Sequence, residues 1–162
     1  MKKWLWMVIL PVFLTACAVE EPLETVADVW SIPAAPVMRE IRIDLPEDSS
    51  INTIQCDAGQ LYLCDGYEIS IETMEAGDLE RTIQTVSGKR KEDLTILTTE
   101  NGGIKRHEFV WASAGENGDR VGRALILDDG DYHYVLTVLR DSREPEGTKV
   151  NWNDVFRSFD LY

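Results

Sequence analysis

Residues 93–140 read DLTILTTENGGIKRHEFVWASAGENGDRVGRALILDDGDYHYVLTVLR, and this stretch decides the fold. Four runs rich in β-branched, aliphatic and aromatic residues occupy positions 93–99, 104–114, 120–127 and 132–140. Asn101-Gly102, Asn117-Gly118 and Asp129-Gly130 separate them. Asn-Gly and Asp-Gly suit type I′ turns, which need positive φ at both central residues. Four strands joined by tight turns make an antiparallel meander. Phe109 and Trp111 point to one face, and Val110, Ala112 and Ala114 to the other. Both faces carry apolar side chains, so both need a cover.

Candidate covers flank the meander. Ala76, Leu79, Ile83 and Val86 recur at three- and four-residue steps, which predicts an amphipathic helix over 76–86 with Gly88 as its stop. Trp152, Val155, Phe156 and Phe159 repeat the pattern and predict a second helix, capped by Asn151. Upstream, Ile41, Ile43 and Leu45 alternate with polar residues, and Pro46 ends the run. Further strands are predicted at 51–56, 60–64 and 67–73. The order is strands, helix, four-stranded meander, helix. It predicts an α+β fold in which two helices cover the two faces of one antiparallel sheet, an α/β/α sandwich.

The segment 130–138, a polar loop, the run from Trp152 to Phe156 and the closing Ser158-Phe159 together resemble the PsbP-like fold. The resemblance spans about residues 60–161 and implies an accessory or protein-binding module. It brings no catalytic residues with it.

The first seventeen residues carry an address. Lys2 and Lys3 precede an apolar run at 4–13, and Leu14-Thr15-Ala16-Cys17 follows. Ten helical residues rise about 15 Å, half of a hydrocarbon core about 30 Å thick, so the run suits a cleaved signal better than a spanning helix. The tetrad resembles the lipobox of bacterial lipoproteins. That resemblance implies cleavage after residue 16, lipidation of Cys17 and a membrane anchor on the extracytoplasmic side. Ala18 stands where an Asp would signal inner-membrane retention, so the resemblance implies the outer membrane in a source that has two. Residues 17–37 hold three prolines, four acids and no base, which predicts an acidic tether. The folded body is expected over 38–162.

Composition narrows the function. The chain has 162 residues, 16 basic against 29 acidic, for a net charge of −13. Removing residues 1–16 takes Lys2 and Lys3 with it and leaves 14 basic residues against 29 acidic, net −15. Such a body is a poor nucleic-acid binder, because displacing counterions from phosphates needs a basic surface. It is equally poor as a polybasic membrane binder, so the lipid must supply the adhesion.

Hydrolase, zinc-protease, phosphate-loop and Cys-x-x-Cys signatures are absent from the sequence. His107 and His133 lie within strands and read as ordinary strand residues, so no catalytic residue, metal ligand or cofactor is assigned. The acidic run Asp128-Asp129-Gly130-Asp131 offers calcium-type oxygens but lacks the spacing of a twelve-residue calcium loop. Lys89-Arg90-Lys91 and Lys105-Arg106 are the two basic clusters. Trp111, Tyr132, Tyr134 and Trp152, with Phe109 and Phe156, are candidates for a binding cleft, and equally for core. Lipidation of Cys17 leaves Cys56 and Cys64 as an even pair in a compartment that permits oxidation. They bracket Asp57-Ala58-Gly59, and a disulfide between them is expected, with two buried thiols as the alternative. The combined expectation is a lipid-anchored, non-catalytic binding or accessory module whose partner is another envelope protein. An envelope hydrolase with an unrecognised site and a small-ligand-capture lipoprotein are the alternatives.

Overall fold

A computed structural model describes residues 35–47, 59–64, 66–115, 118–142 and 152–162. Residues 35–162 form one compact unit. In chain order its elements are β1 (Ile41–Arg42), β2 (Gly59–Cys64), β3 (Tyr67–Glu75), α1 (Leu79–Ser87), β4 (Ile96–Asn101), β5 (Ile104–Gly115), β6 (Gly118–Asp128), β7 (Tyr132–Asp141), α2 (Trp152–Ser158) and β8 (Asp160–Leu161). A 3-10 turn at Lys91–Asp93 leads into β4.

Six strands form one sheet in the order β2-β3-β7-β6-β5-β4, and every pairing is antiparallel. The predicted meander is therefore present, with β3 and β2 added beyond β7. Successive side chains of a strand alternate between faces, and here each face has its own helix. On one face Ile83 of α1 packs with Phe109, Trp111, Ala124, Ile126 and Val135. On the other, Val155 and Phe156 of α2 and the following Phe159 pack with Ile69, Leu125, Leu127, Tyr134, Leu136 and Val138. The fold is mixed α+β, largely antiparallel sheet, with one helix on each face.

Local chemistry moves several boundaries. Helix α1 begins three residues later than its periodicity suggests, because the Asp78 carboxylate accepts from the Glu80 N–H at 3.0 Å and caps it there. The Ala76 N–H instead bonds to the Asp131 carbonyl at 2.8 Å. The first hairpin of the meander turns on Gly102-Gly103, with φ of 58° and 82°, and not on Asn101-Gly102. Two glycines reach positive φ without the Cβ penalty, so Asn101 stays in the ladder opposite Ile104. Gly118 already pairs with Gly115 and so belongs to β6, not to the centre of a turn. The third connection is wider than a two-residue turn, since Asp128 pairs with His133.

The alternation at 39–45 is real but yields only a two-residue strand, because its partner β8 is itself only Asp160–Leu161. Ile41, Ile43 and Leu45 still pack against the α2-side core. The strand expected at 51–56 and the Asn151 cap lie outside the described residues, as do Cys17 and Cys56.

Gly122 marks the tightest packing in the sheet. It pairs with Trp111, and a Cβ placed on it would overlap the Trp111 ring at Cζ2 and Cε2. The indole lies across the bare backbone of the neighbouring strand. Gly122→Ala is expected to push the ring off its site and cost about 1–3 kcal/mol, the range for overpacking. Urea denaturation together with the indole N–H resonance of Trp111 checks this; an unmoved resonance at wild-type stability would contradict it.

Candidate functional site

Five groups of residues compete as sites. The aromatic candidates come first. The sheet separates them: Trp111 and Phe109 lie on the α1 side, 5.6 Å apart between ring centroids. Tyr132 and Tyr134, 6.2 Å apart, lie on the other side with Phe156. Odd positions of β5 face α1 and even positions of β7 face α2, so the two sets do not converge. Trp111, Tyr134 and Phe156 are buried, and they serve as core. Trp152 opens α2.

Asp128 and Asp129 of the acidic run fold back onto their own loop, while Asp131 is exposed. Asp128 Oδ1 accepts from the Gly130 N–H at 2.9 Å. Asp129 Oδ1 accepts from the N–H groups of Asp131 at 3.0 Å and Tyr132 at 2.8 Å. Its Oδ2 accepts from the Tyr134 hydroxyl at 3.1 Å and faces Arg39 Nε at 3.4 Å. The Tyr134 hydroxyl in turn accepts from the Arg39 N–H at 2.7 Å, and burial raises its pKa. The Tyr132 hydroxyl donates to the Pro36 carbonyl at 3.3 Å. These carboxylates organise a loop and latch residues 36–39 onto it. Among the described residues no His, Cys, Asp or Glu cluster has the geometry of a metal site.

Beneath α1 lies a buried polar cluster that the sequence reading passed over as ordinary strand. His133 Nδ1 and the Thr82 hydroxyl are 2.8 Å apart, and His133 Nε2 lies 3.9 Å from Asp128 Oδ1. His107 Nδ1 is 3.0 Å from the Thr98 hydroxyl, and its buried Nε2 has no hydrogen-bond partner among the described residues. The imidazoles of His107 and His133 are 5% and 1% exposed, so neither faces solvent. Burial lowers both pKa values; Asp128 opposes this at both rings, while His133, Lys105 and Lys91 add to it at His107. With folded values below the ordinary 6.5, the unfolded chain takes protons first as pH falls. The contribution of the two histidines to stability is thus constant above about pH 7 and declines as pH drops through 6.5 towards the folded values. Melting temperatures between pH 7.5 and 5 should show this slope, and the pair His107→Gln and His133→Gln should flatten it. A slope unchanged in the double variant would contradict the assignment.

The arginine of each basic cluster is engaged within the fold, while Lys89, Lys91 and Lys105 are exposed. Arg106 donates to the Phe156 carbonyl at 2.6 Å and reaches the Phe159 carbonyl at 3.4 Å, so it caps the C-terminal end of α2. Arg90 is held by Glu92 at 2.8 Å and by Asp93 at 3.0 Å. Cys64 ends β2, half-buried against the α2-side core. The bridge expected between Cys56 and Cys64 involves a residue outside the described ones, and the structure places only its Cys64 end.

The open feature is at the β4 side of the sheet. A cleft of about 440 Å³ is lined by Asp93, Leu94, Thr95, Leu97, Glu108, Phe109 and Val110. Leu97 and Val110 are 63% and 55% exposed, large apolar side chains left in water on the face away from α1. The sequence signalled Val110 as apolar and outward; what it could not signal is that α2 stops short of it. Glu108 is paired with Arg123, whose Nε donates to it at 2.8 Å. Arg123 also lies 4.2 Å over the Phe156 ring and bonds Asn153 at 3.0 Å. The guanidinium thus closes the edge of the α2 layer, and among the described residues nothing is packed over Val110 and Leu97 beyond it. The geometry suits contact with an extended or apolar surface and offers no nucleophile with an orienting base. No protein-family model, curated protein or solved structure matches this chain.

Proposed function

We propose that this chain is a lipid-anchored, extracytoplasmic bacterial lipoprotein that acts as a non-catalytic binding or accessory module, with a body of PsbP-like design. The observation that carries the reading is the tetrad Leu14-Thr15-Ala16-Cys17 directly after a basic pair and a ten-residue apolar run. Among the described residues no helix is long and apolar enough to cross a membrane. A net charge of −15 after cleavage gives no attraction to anionic headgroups. Two or three acyl chains hold a protein stably where a single chain holds it marginally. The PsbP-like reading of the body is supported by the order of β7, α2 and Phe159 and by the helix on each side of the sheet. The accessory reading is supported by the burial of both histidines and by the bare apolar edge.

Cys17→Ser is the direct test. The variant is expected to leave the membrane fraction or to accumulate at precursor size. A detergent-phase protein of mature size, unchanged by the substitution, would overturn the anchor.

A further inference from the structure

Strand β5 is twelve residues long, but its two neighbours do not match. Its pairing with β6 runs without a bulge from Lys105 opposite Asp128 to Gly115 opposite Gly118. On its other side, β4 accompanies it only from Ile104 to Phe109. From residue 110 onward, no strand lies beside β5 on that side among the described residues. In an antiparallel strand, alternate residues direct both N–H and C=O to the same side. Residues 110–115 therefore carry a short row of backbone donors and acceptors facing outward.

Natural sheets protect such edges with Lys, Pro, a bulge or a covering element. Residues 110–115 read Val-Trp-Ala-Ser-Ala-Gly, with no charge and no proline. Val110, Ala112 and Ala114 are exposed, and the two alanines leave the backbone accessible. The start of β4 forms the floor of the notch. There the 3-10 turn, held by Arg90, carries the chain away from β5 and opens the cleft. Asp93 and Glu108 line the cleft, and no Lys or Arg does.

We infer that the open length of β5 is a strand-addition site for an extended segment of a partner protein, about five or six residues long, that alternates apolar and basic side chains. Main-chain hydrogen bonds to residues 110–115 supply affinity, and Leu97 and Val110 receive apolar side chains on the exposed face. Asp93 and Glu108 are already paired with Arg90 and Arg123, so the selection rests on the net charge of −13, which favours a basic segment and repels a second copy of this chain. The inference rests on the accessory-module reading only in placing the partner in the envelope.

The test uses the full chain purified in detergent and three synthetic peptides. One is the alternating Lys-Val-Thr-Val-Arg-Val, one replaces both bases with Glu, and one carries Pro at the fourth position. Amide hydrogen exchange is read with and without each peptide. The basic peptide is expected to protect amides within 110–115, and the acidic and Pro peptides to leave them unprotected. Ala112→Lys and Leu97→Lys, both at exposed positions, are expected to weaken the basic peptide at least tenfold while the melting temperature holds. Absence of binding, binding without protection at 110–115, or equal binding of the acidic peptide would each overturn the inference. So would a self-associated chain that Ala112→Lys renders monomeric, since the occupant would then be a second copy. Peptide protection does not depend on lipidation, so the outcome is separable from that of the Cys17 test.

Discussion

Phe156→Ala is expected to cost about 3–5 kcal/mol, the range for truncating a fully buried aromatic ring. Phe156 is 1% exposed and, with Val155 and Phe159, holds α2 against the sheet. Helix α2 has only seven residues, too few to be stable without that packing. The ring also supports the Arg123 guanidinium at 4.2 Å, and Arg123 ties Glu108 to Asn153. Removing the ring leaves a cavity and loosens that clasp together. Phe156→Leu keeps most of the apolar volume and is expected to cost less than half as much. Denaturant midpoints of the two variants check the pair, and equal effects would show that the ring itself is not what holds α2.

Asp129→Ala is expected to cost about 2–4 kcal/mol. The Asp129 side chain is 5% exposed and accepts three hydrogen bonds, from two backbone N–H groups and the Tyr134 hydroxyl. Alanine strands those donors, and a buried unsatisfied donor costs about 1–3 kcal/mol. The Arg39 ion pair adds little, because that side chain is 46% exposed and well screened. The damage should appear first at the latch. Exchange of the Arg39 amide, held by the Tyr134 hydroxyl, should accelerate before any sheet amide. Uniform acceleration across the sheet would mean that residues 36–39 are not latched separately.

The sheet was legible because its signals are local. Alternation at 104–114 and 132–140, with glycine-bearing connections, specifies strands and their sequential pairing, and β4 to β7 follow that order. The positions of α1 and α2 were legible from their three- and four-residue periods for the same reason. Details set by competition were not. Asn101 and Gly103 compete for the turn, and Gly103 wins because two adjacent glycines meet the positive-φ requirement together. Asp129 reads as a solvated hairpin tip, yet its carboxylate is buried because Arg39 and Tyr134, 90 and 5 positions away, converge on it.

The candidate site was the least legible part. Trp111 and Tyr134 look alike in sequence, and only strand parity together with the helix assignments sends them to opposite faces. The open edge of β5 depends on the difference between where β4 and β6 end. Hydrophobic patterning carries strand identity but not the lengths of neighbouring ladders. The buried imidazoles were read as strand residues, which they are, and their cluster with Thr82, Thr98 and Asp128 exists only once β5, β6 and β7 are adjacent.

The measurement that bears most directly on the proposed role is the intact mass of the protein extracted from its native membrane. The account predicts a chain that begins at Cys17 and carries added mass matching a diacylglyceryl group, alone or with a further acyl chain. An unmodified chain that retains residues 1–16, or one cut elsewhere and recovered from the aqueous fraction, would contradict it.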